Sequence, residues 1–493
     1  MARVKQADVE LINSLLQELG GYRVANKVRE AYFCGKSYLR NPNVSLPPQY
    51  KDLHVPVAWP EIVVERKNER INLLGFTAPT PAIDKIVKEI AAANSLVSES
   101  KMIHRDSLLF GTSYLVGSYG DPKENEPEIL LTPESPNDTV GRYNRRSRDL
   151  DCLLQVVFDD FGSPEKGCLH LRDKTITFKF NTAPSLAGLP MGLIVAVQSD
   201  YTLYSAVIEQ HNRGYVFAGM FPNRPRSSHS GGTSEITRVV MSHTDQAVIT
   251  FSEAALAREI YATPQRYLLG ANMDNFKDKD GKLIPAWQAY MDKIWMTPPT
   301  KTGQAQPQIG QFDAASPAPL FEHIKASAEA ISAASGVPLA QLGYTTQGNP
   351  ASAEAILAQN EVLIKSAEDR MESWGAVYAQ VMKLAVRMKL NGEMPEGIHE
   401  IRPQWRSAAT VTLASVTDAM SKLVAIGALQ GDSEVLLNVC DFTDDQKVII
   451  QKENEAAKVR MENLALNTAR AAVSALGVQQ NAQKEKNPNV TNL

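Results

Sequence analysis

Residues 335–356 read SGVPLAQLGYTTQGNPASAEAI, and the punctuation in that stretch determines what lies on either side of it. Gly336-Val337-Pro338 closes a short helix running from Pro317 to Ser335, because glycine accepts the conformation of a helix end and proline cannot continue a helix. The loop LGYTTQGNP follows. Asn349 can then cap, and Pro350 suit the first position of, a long helix predicted to reach Leu390. Its apolar stripe is Ile356, Leu363, Ala367, Met371, Trp374, Tyr378, Val381, Ala385 and Met388, spaced by threes, fours and sevens. At about 1.5 Å per residue this element is on the order of 60 Å long. A one-striped helix of that length needs neighbours along all of it. Two readings stand: a core helix of a bundle, and an element packed between the subunits of a ring.

Towards the N-terminus, Ser234 to Tyr261 holds neither glycine nor proline and reads as another helix, stopped at Thr263-Pro264. Between the two shorter helices lies an irregular, strand-containing insert, residues 264–316, with turn-rich DNFKDKDGK and PPTKTGQAQPQ. Residues 224–234, RPRSSHSGGTS, have the composition of a flexible linker. From Gly111 to Phe221 the periodicity changes to that of strands: SYLVGSY, EILLTPE, DCLLQVVFDD, KTITFKF, YTLYSAVIEQ and YVFAGMF. Further back, Val9, Ile12, Leu15, Leu16 and Leu19 mark a helix that Gly20-Gly21 is expected to stop. A second helix is predicted over Tyr22 to Phe33, and one more over Pro81 to Phe110. The chain after Val411 reads as helical to about Leu476, and the polar end, QQNAQKEKNPNVTNL, is expected to be disordered.

With 493 residues the chain should form two to four structural units. The longest apolar-leaning run, Leu186 to Val197, is broken by Gly188, Pro190 and Gly192, so no membrane segment is expected. The opening residues lack a signal peptide's cleavage site, which implies cytoplasmic synthesis. Cys34, Cys152, Cys168 and Cys440 are scattered, as thiols rather than a disulfide framework or zinc site would be. A net charge of −4 fits either no contact with DNA or a wall along which DNA slides without its phosphates being held.

Catalytic signatures are missing. The histidines, among them His54, His104, His170, His229, His243 and His323, show no metal-binding spacing. No phosphate-cradling glycine loop and no GxSxG is present. Asp159-Asp160 reads as a solvated turn in preference to a metal site. The tract GRYNRRSRDLD, with Arg142, Arg145, Arg146 and Arg148, reads as a charged surface loop or inter-subunit contact before a phosphate-binding one. No enzyme activity, metal or cofactor is expected.

Several patterns, in order along the chain, carry a family resemblance. They are Tyr32, Gly35 and the PPQY segment; AWPEIVVERKNERINLLGF at 58–76; AANSLVSESKMIHRDSLLFGTSYLVG at 92–117; EIYATPQRYLLGA at 259–271; and QWRSAATVTLASVTDAMSKLVAIG. The most specific is the stretch 335–356: Ser-Gly-x-Pro, a Leu-Gly loop, then Asn-Pro-x-Ser-Ala-Glu opening the long helix. Over nearly its whole length the sequence resembles the portal proteins of tailed bacteriophages, particularly those of phages that infect actinobacteria.

That resemblance implies an α+β portal fold with an α/β wing (residues 1–233) and a first stem helix (234–263). A small irregular or β clip (264–316), a second stem helix (317–340) and a tunnel loop (341–351) follow. The chain would end in a long tunnel helix (352–390), a helical crown (391–480) and a disordered tail (481–493). It implies a non-enzymatic dodecamer at one capsid vertex, a channel through which double-stranded DNA slides without sequence preference. The implied partners are the large terminase subunit, head–tail adaptors, and the major capsid and scaffolding proteins, with no membrane and assembly in the host cytoplasm. Gln341, Tyr344, Thr345, Thr346, Gln347 and Asn349 would face DNA, in a loop that carries no charge. Ile356, Leu363, Met371, Trp374 and Tyr378 would pack between subunits. The competing expectations are another phage head or tail structural protein and a soluble enzyme with a dispersed site.

Overall fold

A computed structural model of the chain describes residues 4–36, 55–159, 162–180, 203–261, 266–269, 308–311, 316–344, 353–409, 413–428, 444–485 and positions 282, 433, 436 and 437. The chain divides into two units, Met1–Ala408 and Ala409–Leu493. The helices of the first are α1 (Gln6–Phe33), α2 (Trp59–Asn68), α3 (Pro81–Ala93), α4 (Leu96–Phe110), α5 (Arg238–Tyr261), α6 (Ala318–Ser335) and α7 (Ala353–Lys389). Its strands are β1 (Leu73–Thr77), β2 (Thr112–Tyr119), β3 (Ile129–Glu134), β4 (Thr139–Asn144), β5 (Asp149–Phe158), β6 (Pro164–Leu171), β7 (Lys174–Phe180), β8 (Leu203–Gln210), β9 (Ala218–Pro222), β10 (Arg266–Leu269), β11 (Gln308–Gln311) and β12 (Arg402–Trp405).

Helix α1 is continuous, where the sequence predicts a stop at Gly20-Gly21. Two mid-helix glycines cost about 1 kcal/mol each, and contacts on both sides outweigh that. Before them, Ile12, Leu15 and Leu19 are buried with Leu154, Ile176 and Phe178 of a five-stranded antiparallel meander, β4-β5-β6-β7-β8. After them, Asn26 donates to Asn137 Oδ1 at 3.0 Å, and the Tyr32 hydroxyl to Asp245 Oδ2 at 2.8 Å. The reverse happens between Pro81 and Phe110, where one helix is expected and two are found. Buried Asn94 donates to the Ile129 carbonyl and accepts from Leu131 N, so β3 ties down the chain and Ser95 takes a left-handed φ of 47°.

Strands β4 and β6 escape the sequence reading because Gly, Asn and Pro interrupt their alternation. The glycine in β6 has a function: a Cβ on Gly167 would lie 2.6 Å from the Phe178 ring, which crosses its backbone. A three-stranded antiparallel sheet, β3-β2-β9, stands beside the meander. The segment expected to be a flexible linker, 224–234, is a pinned turn. Arg226 and His229 form a backbone bridge, Thr233 N donates to Asn223 O at 2.7 Å, and Asn223 N donates to Gly111 O at 2.9 Å. Gly232, at φ +74°, is needed because a Cβ there would lie 2.2 Å from Gly111 O. Ser234 Oγ donates to Leu109 O at 2.5 Å and Glu235 N to Leu108 O at 2.8 Å, which delays the start of α5 to Arg238.

Helices α5 and α6 pair through Val240, Ala247 and Val248 against Ile324, Ala328 and Ile331, in a core shared with Trp59, Val63 and Leu363. Of the insert between them, β10 and β11 form an antiparallel ladder from Arg266↔Gln311 to Leu269↔Gln308, and most of the remainder lies outside the described residues. Helix α7 is the spine of the largest core. Trp374, Tyr378, Val381, Met382, Ala385 and Val386 are fully buried there with Phe76, Leu108 and Phe221. The chain then returns, and β12 pairs with β1, so residues 391–408 belong to the first unit and the boundary falls after Ala408 instead of after Leu390.

The second unit contains α8 (Leu413–Ala425) and α9 (Asp444–Glu485), the latter continuing past the point where disorder is expected. Along α9, Val459, Met461, Leu464 and Leu466 are exposed. No described helix is long and apolar enough to cross a membrane.

Candidate functional site

The loop joining α6 to α7 is anchored at its root before it leaves the described residues. Past Ser335, Gly336 turns the chain at φ +74°, and Ser332 Oγ donates to Val337 O at 2.7 Å. A single 3-10 turn, Leu339–Leu342, ends at Gly343 in the left-handed region, φ +94°. Trp59 fastens this turn: its indole N–H donates to Leu342 O at 3.2 Å, and its ring lies 6.5 Å from that of Tyr344. Gln341 Nε2 donates to Asn360 Oδ1 at 3.0 Å, which ties the loop to α7 itself.

Nearly three turns further along, α7 is locked to the rest of the unit by a buried ionic cluster. Glu235 accepts Lys67 Nζ at 2.5 Å, Arg370 Nη2 at 2.6 Å and Arg224 Nε at 3.1 Å. Asn223 donates to the same carboxylate at 2.8 Å and accepts Arg370 Nε at 2.8 Å. Arg370 Nη1 also donates to Ser366 O and to Ser366 Oγ. Burial alone raises the Glu235 carboxyl pKa, but Lys67, Arg370 and Arg224 overcome it and hold the group at about 2. Above the cluster, Trp374 Nε1 donates to Pro222 O at 2.9 Å, and His104 stacks on its ring at 4.9 Å. The Tyr378 hydroxyl is 3.1 Å from His104 Nε2. Complete burial pushes His104 down to about 3, so its imidazole stays neutral at neutral pH. These contacts hold one helix against a strand, a turn and two other helices.

The structure redistributes the sequence-predicted site residues. Leu363, Met371, Trp374 and Tyr378, expected between subunits, are 1 %, 7 %, 0 % and 0 % exposed inside their own chain. Strands β1 and β9 and helices α2 and α4 have taken the surface that a neighbouring subunit was expected to cover. Ile356 lies in α7, and its side chain is outside the described residues. Gln341 and Tyr344, expected to face DNA, lie in the anchored root of the loop. Thr345, Thr346, Gln347 and Asn349 fall outside the described residues. Arg142 reaches Ser14 Oγ at 2.6 Å on α1, while Arg145, Arg146 and Arg148 are exposed at the β4–β5 turn. Asp159 caps a turn, accepting Ser163 N at 2.7 Å. No group of three or more His, Cys, Asp or Glu that could hold a metal occurs among the described residues. The Lys67–Glu235–Arg370 cluster was missed. Its one sequence signal is Arg370, a charge four residues before Trp374 and seven after Leu363, on the buried stripe itself.

The chain is an α+β protein in which the 37-residue helix α7 is tied near its start to the loop before it, beside two paired helices and a β-rich lobe. Comparison with known proteins gives the family. The model of the family described as "Phage portal protein, SPP1 Gp6-like" matches residues 21–463, and the chain belongs to that family. It is 28 % identical over 389 residues to the portal protein of Mycobacterium phage D29, covering 78 % of this chain and 76 % of that protein. It is 26 % identical over 391 residues to the portal protein of Mycobacterium phage L5, covering 78 % and 75 %. Among solved structures, a chain of "Virion of native gene transfer agent (GTA) particle" aligns over 77 % of this chain and 88 % of its own, at 14 % identity and a TM-score of 0.39. The chain is thus a structural, non-enzymatic component of the phage particle, a subunit of an oligomeric ring that forms the portal channel for DNA.

Proposed function

We propose that loop 341–351 forms the constriction of that channel, with α5 and α6 as the stem and β10–β11 as the base of the clip. Twelve copies assembled in the host cytoplasm would sit at one capsid vertex. The clip would receive the large terminase subunit during packaging and head–tail adaptors afterwards, and the outer lobe would meet the major capsid and scaffolding proteins. The observation that carries the loop assignment is its division of labour. The root is tied by Trp59 and Asn360, while the remaining residues 345–351 contain no charged side chain. A fixed base with an uncharged tip holds a geometry against a moving duplex without pinning phosphates.

Gln347→Lys adds one positive charge per subunit around the duplex. Heads should assemble in normal number and hold less DNA, and the defect should ease at higher salt as the attraction is screened. DNA content per assembled head is the assay. Wild-type packaging by Gln347→Lys, at low and high salt alike, would remove the loop from the channel wall.

A further inference from the structure

Beside the pinned turn after β9 lies a cavity of about 680 Å³, lined by Arg29, Arg224, Arg226 and Arg238 together with neutral residues such as Thr233 and Met241. Among the described residues no carboxylate lines it. Arg224 already shares Glu235, but Arg29, Arg226 and Arg238 form no ion pair among the described residues. Arg29 is spent on neutral acceptors, the Phe110 carbonyl at 2.7 Å and Asn26 Oδ1 at 3.0 Å. Four guanidinium groups around one concavity, two of them (Arg226 and Arg238) exposed and in no ion pair among the described residues, favour an anionic occupant.

The same chain carries the complement. The connection from β2 to β3 reads DPKENEPE, with Asp121, Glu124, Glu126 and Glu128 against Lys123 alone. All five of these charged residues are exposed, and none is in an ion pair among the described residues. The connection is already shaped: Asp121 Oδ1 accepts Lys123 N at 2.9 Å, Glu126 Oε2 accepts Asp121 N at 2.8 Å, and Asn125 is left-handed at φ +58°. Preformed loops lose little entropy on docking.

The two features cannot meet within one chain. Thr112, at the start of β2, pairs with Pro222 beside the cavity, and Tyr119, at its end, pairs with Ile129 beside the acidic loop. The length of β2 separates them, roughly 23 Å at strand rise. Resting on the reading of the chain as a ring subunit, we infer that the acidic β2–β3 loop of one copy docks in the arginine cavity of the next. Two different, complementary patches on one subunit make a head-to-tail contact, the kind that closes rings. A concavity of this size fits a loop tip, whereas a DNA duplex would touch only its rim.

The test is a charge reversal in trans on the full-length chain. Arg226→Glu with Arg238→Glu makes a pocket variant, and Glu124→Arg with Glu128→Arg makes a loop variant; all four positions are exposed. Each variant alone should show a ring fraction lower by about tenfold or more, since facing like charges repel, with circular dichroism and melting as for wild type. Mixed in equal amounts, the two should recover rings, because each reversed pocket then meets a reversed loop. Mass photometry reads the fractions. Rings from either variant alone, or no recovery on mixing, would overturn the inference while leaving the ring reading in place. Intact rings with weakened duplex binding by the pocket variant would make the cavity a phosphate contact and also overturn it. A wild-type chain that never forms rings would sink the inference together with the reading on which it rests.

Discussion

Glu235→Gln changes one atom and removes the only carboxylate in the cluster that fastens α7. Lys67 and Arg370 are left facing each other with side chains 3 % and 6 % exposed. Arg224, at 42 %, is hydrated and is left out of the reckoning. Removing one partner of a buried pair typically costs about 3–5 kcal/mol, because the remaining charges stay buried without compensation. Unfolding entropy of about 2.1 cal/mol/K per residue gives roughly 0.9 kcal/mol/K for a unit the length of Met1–Ala408. The expected drop in Tm is therefore about 4–6 °C. Scanning calorimetry at matched protein concentration reads it, since ring assembly would itself raise the apparent Tm. Replacing all three charges with apolar side chains (Lys67→Met, Glu235→Leu, Arg370→Met) should recover most of the loss, because no buried charge is then left alone. A Glu235→Gln protein melting within about 1 °C of wild type would refute the argument, because the two cations would then have to be hydrated or neutral.

Two further outcomes follow from buried side chains. Trp374→Asp places a carboxylate in a fully buried aromatic stack beside His104 and should cost more than about 4 kcal/mol, leaving little folded chain by circular dichroism; a well-folded monomer unable to form rings would show that the indole faces a neighbour after all. Acid should destabilise the fold between pH 6.5 and about 4. His104 and His170 are held neutral, pushed from 6.5 down to about 3 and about 4 by burial, so the unfolded chain binds their protons first and stability falls as pH drops through that window. Asp106, raised by burial to about 6, acts in the opposite sense and offsets part of the loss. A net loss of about 1–3 kcal/mol at pH 5 relative to pH 7.5 is expected, and a Tm unchanged or higher at pH 5 would contradict it.

The parts of this fold that are legible in sequence are those specified by neighbours along the chain. A stripe at helical spacing announces α7, and alternation announces β2, β3, β5 and β7. What is illegible depends on partners far away. Gly20-Gly21 reads as a stop because the sequence does not show that Leu19 is held by a sheet and Asn26 by Asn137. The break at Asn94 depends on β3, 35 residues on. The cluster on Glu235 joins positions 67, 224, 235 and 370, and no local pattern unites them. The loop 341–351 was marked out by the family resemblance, because periodicity says nothing about a segment that has none.

The stripe on α7 shows most clearly where periodicity stops being informative. Spacing by threes and fours reports that a face is buried, not which chain buries it, so a core helix and a ring contact looked alike. In the structure this face is buried within its own chain: Phe76, Phe221 and Trp405 surround Tyr378 with ring centroids 6.0, 4.6 and 6.0 Å away. That outcome has a consequence for assembly. An apolar face that is already satisfied within the subunit is not available to glue subunits together, so the first unit must associate through the surfaces that remain. Those include the arginine cavity and the acidic β2–β3 loop, which are charged and wet. Contacts of that kind are weaker per unit area than a packed core, sensitive to salt, and able to re-pair after a small shift. In a ring through which DNA has to move, charged seams of the kind inferred above would leave each α7 packed within its own subunit while contacts between subunits re-pair.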